Sequence, residues 1–176
     1  EEYDWEVRAF PEEELMLMDF VSELSRLKPD VIAGWNVKFD RDYLLARLRK
    51  LNILRSLDYV DWLDLLEVDK IIVKNRRSRA LKHVTVEEGI ESKEKAIEAA
   101  DIIPMWESDP GEVIKYNVRD VWRIVKLNEL YNYFELMWAY KEVAGLVHLE
   151  DALYTMVLVD TIVLREAKQQ RVVLPS

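Results

Sequence analysis

The pattern of hydrophobic and polar positions predicts alternating strands and helices over the first part of the chain. Tyr3–Ala9 alternates between apolar and polar side chains, which predicts a short strand, and helical apolar spacing over 11–28 predicts an amphipathic helix. Val31–Trp35 is a short apolar run between turn residues, which predicts a buried strand. The turn Asn36–Asp40 and a helix over 40–51 follow.

A second strand and two shorter helices are predicted next. The run Tyr59–Leu65 is typical of another buried strand, and residues 65–73 continue as a helix. A short helix is predicted over 79–88, because Gly89 is the residue type that commonly ends a helix. This part of the chain is therefore predicted to have an α/β fold.

The remainder of the chain is predicted to be helix-rich. Asp109-Pro110-Gly111-Glu112 combines a capping Asp, a first-turn Pro and a Glu three residues after the cap, which together predict a helix start. The helical pattern then runs to Gly145 with one break. A last helix is predicted over 149–169, followed by an extended tail over 171–176.

Composition narrows the chemistry that this chain can perform. With 25 Lys and Arg against 34 Asp and Glu, the net charge is −9, which argues against a broad cationic surface for duplex DNA. The absence of cysteine excludes disulfides, thiolate metal sites and thiol nucleophiles. Two histidines and four scattered glycines exclude a multi-imidazole metal site and a phosphate-binding glycine loop. Carboxylates, hydroxyls and amides remain as candidates.

One carboxylate is predicted to lie on an apolar helix face near the first strand. Asp40 shares a face with Leu44, Leu48 and Leu51, at steps of four, four and three residues. A carboxylate on a buried face must be paired, hydrogen-bonded or bound to a metal ion. The spacing therefore makes Asp40 a candidate site residue.

A phenol and a second carboxylate share another apolar face. Tyr116 and Asp120 are four residues apart, and three apolar residues lie on the same face: Val113, Ile124 and Leu127. Two inward carboxylates from separate helices can converge on a divalent cation, and oxygen ligands suit Mg²⁺ or Mn²⁺. On spacing alone, a helix cap at Asp40 and an ordinary pair at Tyr116 and Asp120 are the commoner explanation.

Two short motifs resemble exonuclease motifs of the family B DNA polymerases. Asn36-Val37-Lys38-Phe39-Asp40, at the end of an apolar strand, is similar to the second exonuclease motif of that family. Tyr116-Asn117-Val118-Arg119-Asp120 resembles the third motif, Tyr-x-x-x-Asp. The two motifs occur in the expected order, which is more specific than either motif alone.

The resemblance extends over nearly the whole chain and is closest to archaeal members. The other stretches that resemble the family are Glu14 with its helix, Lys28-Pro29-Asp30, Trp62–Leu65, Trp106 and Leu174-Pro175-Ser176. It implies a partial ribonuclease H-like exonuclease domain over 1–127 and a helical segment over 128–176 that leads toward the polymerase palm. The high charge content without cysteine is also common in heat-adapted proteins.

The family's properties imply a function for these residues. The fold would be a ribonuclease H-like (DnaQ-like) α/β fold, and the activity would be removal of mismatched nucleotides from a 3′ end with two Mg²⁺ or Mn²⁺ ions. Asp40 and Asp120 would be metal ligands, and Tyr116 would orient the attacking water. Asn36 and Phe39 would place the single-stranded DNA. The implied partners are single-stranded DNA and the remaining polymerase domains, in the nucleoid of the cytoplasm.

The first exonuclease motif is where the sequence departs from the family. Asp4-Trp5-Glu6 has the letters of the family's Asp-x-Glu, but it stands too close to Asn36 for the intervening hairpin, so we interpret it as a coincidental match. The chain is then expected to be a piece that carries two of four metal-binding carboxylates and is nearly inactive alone. Missing upstream strands would leave an exposed sheet edge, which predicts self-association.

Two alternative functions remain open from the sequence. The first is a catalytically silent exonuclease-like module that binds single-stranded DNA or braces a polymerase. The second is a helical protein-interaction domain in which Asp40 and Asp120 are only caps or ion pairs. For the basic segment Lys74–Lys82 we expect a solvated connector more than a phosphate-binding patch, and for Asp64 a structural role.

Overall fold

The computed structural model describes residues 6–53, 57, 59–92 and 99–173. The described residues divide into two compact units. The strand unit comprises 6–72 and 134–173, and the helical unit comprises 73–133. In chain order the elements are α1 (Glu13–Leu27), β1 (Val31–Gly34), α2 (Val37–Lys50), β2 (Asp61–Asp64), α3 (Leu65–Ile72), α4 (Leu81–Glu87), α5 (Ala99–Ser108), α6 (Pro110–Tyr131), α7 (Tyr133–Ala144), a 3-10 helix (Glu150–Leu153) and α8 (Thr155–Gln170).

The sheet of the strand unit is a parallel pair of strands connected through α2. β1 and β2 run in register from Val31 opposite Asp61 to Gly34 opposite Asp64. Because the strands are parallel, both carboxyl ends lie at one edge, where the turns into α2 and α3 begin. Leu63 is fully buried, whereas Ala33 is exposed. β1 is thus only partly buried, contrary to the expectation, because the described residues form a sheet of two strands.

The core of the strand unit forms where α1 packs against α2. Leu17, Val21 and Leu24 recur at helical spacing on α1, and all three are buried with Leu48 of α2 and Leu57. The residues that surround this cluster are Ile32, Leu44, Leu45, Leu51, Ile53 and Trp62. The spacing that predicted the first helix also placed Phe20 and Leu27 on this apolar face, but both are exposed, so its buried face is narrower than predicted.

Asp61, at the start of β2, forms hydrogen bonds with residues between the end of α7 and the 3-10 helix. Its carboxylate accepts hydrogen bonds from Lys141 Nζ at 3.2 Å and from the Leu149 backbone N–H at 2.9 Å, and its Oδ1 lies 2.9 Å from His148 Nδ1. Burial alone would raise the pKa of Asp61, but these hydrogen bonds hold it below its usual range. The charged form is therefore stabilised in the folded chain.

The helical unit is organised along α6. Asp109 caps this helix, since its Oδ1 accepts a hydrogen bond from the Glu112 N–H at 3.4 Å, and Pro110 occupies the first helical position. α4 packs on α6, and Val84 and Leu127 are fully buried. The capping signature read from the sequence is therefore confirmed.

Several boundaries differ from the predictions. Residues 6–10 have no regular structure, so that part of the predicted strand Tyr3–Ala9 is wrong, and Tyr3–Trp5 lies outside the described residues. α2 begins at Val37 and not at residue 40, and the last predicted helix is interrupted at Tyr154. The break within 109–145 falls at Asn132, which adopts a left-handed conformation with φ of 50°.

α5 was not predicted, because Pro104 interrupts the pattern there. Of the predicted tail, 172–173 has no regular structure, and Leu174–Ser176 lies outside the described residues. None of the helices in the described ranges is long and apolar enough to cross a lipid bilayer.

We expect Asp61→Asn to lower the free energy of unfolding by about 1–3 kcal/mol, because the buried Leu149 N–H and the half-buried Lys141 ammonium group lose a charged acceptor. The lowered pKa gives the pH dependence. The loss of unfolding free energy should have its full size above the ordinary Asp pKa of about 4. It should shrink as the pH falls through the lower pKa that Asp61 has in the folded chain. Urea unfolding between pH 3 and 7 measures it. Asp160→Asn, an exposed carboxylate on α8, is the control, and equal losses for both variants would contradict the assignment.

Candidate functional site

The turn between β1 and α2 holds the residues of the second predicted motif. Asn36 has a left-handed backbone with φ of 61°, a conformation that Asn tolerates better than most residues. A Cβ at Gly34 would lie 3.0 Å from Val37 Cγ2, so the turn is tight enough to favour glycine there. The geometry explains why the strand ends in Gly34 and is followed by Asn36.

Asp64 fixes this turn from the neighbouring strand. Its Oδ1 accepts a hydrogen bond from the Asn36 backbone N–H at 2.9 Å and another from the Leu66 N–H at 3.0 Å. One carboxylate oxygen therefore ties the turn after β1 to the first turn of α3. The structural role expected for Asp64 is consistent with these two bonds.

Asp40 lies in the first turn of α2, near the carboxylate of Asp64. Partial burial raises the pKa of Asp40, and the charge of Asp64 raises it further. The residue is nevertheless exposed, whereas Leu48 on the same face is buried. Asp40 was predicted to lie on the buried face of the helix, but it is more exposed than predicted. The reason is that it precedes the part of α2 that packs against α1.

Asn36 and Phe39 are both open to solvent. Phe39 is 67% exposed, although it is a large aromatic residue. An exposed aromatic ring beside a carboxylate offers a surface on which a base or another flat group can stack. These two residues are therefore free to contact a ligand.

A cavity of about 390 Å³ adjoins the same turn. Its lining includes Asn36, Lys38, Arg41, Asp64 and Tyr154. Arg41 lies 3.7 Å from Glu150, and Lys70 pairs with Glu67 at 2.5 Å. Both positive and negative side chains therefore line the cavity. Among its cations, Lys38 has no ion-pair partner within the described residues.

α6 presents the residues of the third predicted motif in the helical unit. Tyr116 and Asp120 are both half-buried on the face that also carries the buried Leu127. Burial raises the pKa of Tyr116, and the charge of Asp120 raises it further. The predicted phenol and carboxylate therefore interact on one helical face.

Asp120 is also an ion-pair partner of Arg123, a residue that the sequence reasoning did not single out. Arg123 Nη1 donates to Asp120 Oδ1 at 2.6 Å, and the Arg123 side chain is only 1% exposed. The signal was an arginine three residues after Asp120 on an otherwise apolar face. The ion pair considered for Asp120 as an alternative is therefore present.

The basic segment Lys74–Lys82 is less solvated than expected. The side chain of Arg76 is buried, pairs with Glu88 at 2.5 Å and lies over the Tyr131 ring. Arg79 donates to the Val73 carbonyl oxygen at 2.5 Å. These two cations stabilise the helical unit, so the segment is in part a structural element.

The described residues do not form a metal site by themselves. Among them, no three histidine or carboxylate side chains lie close enough together to hold an ion. Asp40 and Asp120 belong to different units, Asp64 is bonded to two backbone N–H groups, and Asp120 is bonded to Arg123. The oxygen donors suit Mg²⁺ or Mn²⁺, but within either unit too few of the described ones lie together to hold such an ion.

The parallel strand pair, connected through α2 and surrounded by helices, defines an α/β protein. The family profile for the DNA polymerase family B exonuclease domain matches residues 1–92, which is more than half of the chain. The chain therefore belongs to the family B DNA polymerase exonuclease domains, whose fold is ribonuclease H-like. A search of curated proteins found no match.

The extent of this match bears differently on the three predicted motifs. It includes Asn36–Asp40 and ends before Tyr116–Asp120, so the third motif rests on its own residues. Asp4 and Trp5 of the run Asp4-Trp5-Glu6 lie within the matched range and outside the described residues. Glu6 is exposed and pairs with Arg8 at 2.8 Å. The family is confirmed, while the individual site residues stay predictions.

We expect Asp64→Asn to lower the pKa of Asp40, because it removes the neighbouring negative charge. The pKa should remain above the ordinary value for Asp, since burial is the larger cause of the shift. Carboxyl NMR titration of Asp40 in metal-free buffer measures this change. Asp42→Asn on the same helix is the control, and an unchanged Asp40 pKa in Asp64→Asn would contradict the described geometry.

Proposed function

We propose that this chain is the part of a family B DNA polymerase exonuclease domain that presents the second and third exonuclease motifs. In the parent protein it would remove mismatched nucleotides from the 3′ end of a DNA strand. The proposal is carried by the β1–turn–α2 arrangement, in which Asn36, Phe39 and Asp40 follow the end of a parallel strand within the matched region. Active sites of open parallel sheets lie at this edge.

Each candidate residue has a proposed role. Asp40 and Asp120 would be two of the four carboxylates that hold Mg²⁺ or Mn²⁺, and Tyr116 would orient the attacking water. Asn36 and Phe39 would hold the frayed single strand, with the exposed Phe39 ring as a stacking surface. The combination of carboxylates, a phenol, an amide and an aromatic ring supports these exonuclease roles. The other two carboxylates would come from an upstream Asp-x-Glu.

The chain alone is proposed to be inactive. Two carboxylates bind a divalent cation poorly, and they belong to separate units here.

The proposed boundary between an exonuclease part, 1–127, and a segment leading to the palm, 128–176, falls inside α6. Because β1 and β2 pair only with each other among the described residues, their outer edges support the proposal of self-association.

A catalytically silent module is the second candidate. The observation that favours it is that Asp120 and Asp64 are already engaged by groups of the chain itself. Such a module would keep the fold and bind single-stranded DNA or brace the polymerase. An upstream sequence without an Asp-x-Glu on an apolar strand would favour this candidate over the first.

We expect a longer protein that includes the upstream region to digest single-stranded DNA with Mn²⁺. Asp40→Ala and Asp120→Ala should each reduce the rate by about two orders of magnitude or more, as expected when a group that stabilises transition-state charge is lost. Asp42→Ala, which removes an exposed carboxylate from the same helix as Asp40, should digest at the parent rate.

The same measurement can refute the proposal. If Asp120→Ala leaves digestion unchanged, or if the longer protein is inactive despite an upstream Asp-x-Glu, the exonuclease assignment fails. Binding of single-stranded DNA without digestion by a protein that lacks the upstream motif would instead support the silent module.

A further inference from the structure

The cavity at the carboxyl edge of the two parallel strands has the size of a ligand site. Its volume of about 390 Å³ lies within the range of roughly 300–1,000 Å³ that is typical of small-molecule sites. All of its lining residues belong to the strand unit. They come from the β1–α2 turn, from β2 and α3, and from the end of the 3-10 helix, where Leu153 and Tyr154 lie.

The carboxylates that line this cavity are already engaged by groups of the chain. Glu67 and Glu150 each lie next to a cation of the same lining, at 2.5 Å and 3.7 Å. Asp64 accepts hydrogen bonds from two backbone N–H groups. Lys38 is exposed and has no ion-pair partner within the described residues. The unmatched charge of the lining is therefore positive, which favours an anionic ligand.

An aromatic ring lies on the same lining as this free cation. Tyr154 is 54% exposed, and its backbone N–H donates to the Asp151 carbonyl oxygen at 3.1 Å, which fixes the junction between the 3-10 helix and α8. Trp62 and Leu153 are half-buried and add apolar surface. A cation next to an exposed aromatic ring suits a nucleotide, because the cation can pair with the phosphate while the ring stacks on the base.

The cavity adjoins the stacking surface proposed for Phe39. Lys38 and Phe39 are consecutive on α2, so their side chains leave the helix axis about 100° apart. Phe39 lies outside the described lining of the cavity. A single strand that crosses the β1–α2 turn can therefore place one base on Phe39 and a neighbouring nucleotide in the cavity.

We propose that this cavity is a subsite for one nucleotide of a single strand, in which Lys38 pairs with the phosphate and Tyr154 stacks on the base. The inference rests on the proposed function in taking single-stranded DNA as the ligand at this edge of the sheet. It gives a role to two residues that are not among the motif residues Asn36, Phe39 and Asp40. The net charge of the whole chain is −9, so general attraction does not account for DNA binding and a local cation is required.

The first experiment measures binding of the chain to fluorescein-labelled oligo(dT) by fluorescence anisotropy, with EDTA present to prevent metal-dependent digestion. Lys38→Gln should weaken binding about fivefold at low salt, because one ion pair with a phosphate is lost. The slope of log Kd against log salt concentration should also fall in magnitude by about 0.7. Lys50→Gln removes the same charge from the exposed end of α2 and should change neither quantity.

The second variant removes the aromatic ring. Tyr154→Leu should weaken the same complex about fivefold or more without changing the salt slope, because a stacked base is lost but no phosphate contact. Tyr59→Leu is the matched control, since Tyr59 is also 54% exposed but precedes β2, at the opposite edge of the strand pair. The four side chains replaced in these variants are all exposed, so the substitutions leave the core intact.

A third measurement separates a strand from a free nucleotide. NMR titration with a thymidine tetranucleotide should shift the backbone signals of Lys38 and Tyr154 at lower concentrations than thymidine 5′-monophosphate or inorganic phosphate does. The reason is that the strand also contacts Phe39. If the monophosphate binds more tightly than the tetranucleotide, the cavity is a site for a free nucleotide and the proposal is overturned.

The proposal also fails if Lys38→Gln and Lys50→Gln bind oligo(dT) equally well, or if the wild-type chain does not bind it at low salt. The exonuclease assignment is tested separately by Asp120→Ala in the longer protein. Loss of digestion in Asp120→Ala together with unchanged binding by Lys38→Gln would overturn the subsite alone. Weaker binding by Lys38→Gln together with full digestion by Asp120→Ala would support the subsite and overturn the exonuclease assignment.

Discussion

The hydrogen bonds of one carboxylate determine the geometry of the candidate site in the strand unit. Asp64 ends β2 and binds the backbone N–H groups of Asn36 and Leu66, so it fastens the turn after β1 to the start of α3. A buried or half-buried carboxylate that accepts two backbone donors forms strong, charge-assisted bonds. With the turn fixed, Asp40 and Phe39 are held at the carboxyl edge of the parallel pair. The sheet is small, but this edge is defined.

Asp64 and Asp120 both accept hydrogen bonds from groups of the chain itself. Asp64 is bonded to backbone N–H groups, and Asp120 is bonded to the buried Arg123. Asp40 differs from both, since it is exposed in the first turn of α2, and partial burial and its acidic neighbour raise its pKa. Of these candidate residues, Asp64 and Asp120 therefore stabilise the fold through their hydrogen bonds.

Much of the fold could be predicted from local patterns. The apolar spacing of α1, the short apolar runs of β1 and β2 and the Asp109 cap each predict an element that the structure contains. Boundaries shifted where a turn depends on long-range contacts. α2 begins at Val37 because Asn36, held by Asp64, directs the chain into a helix earlier than the apolar pattern does. α5 was missed because Pro104 interrupts the local signal.

The candidate site was predicted less completely than the fold. The motif letters identified Asn36, Phe39, Asp40, Tyr116 and Asp120, but no local pattern reveals which of them has a partner. The link from Arg123 to Glu91 spans 32 residues, so its geometry depends on tertiary packing. Manganese anomalous scattering from crystals of the full-length protein tests the account most directly. We predict a peak within coordination distance of both Asp40 and Asp120, and a structure that holds these carboxylates apart with no peak at either would contradict it.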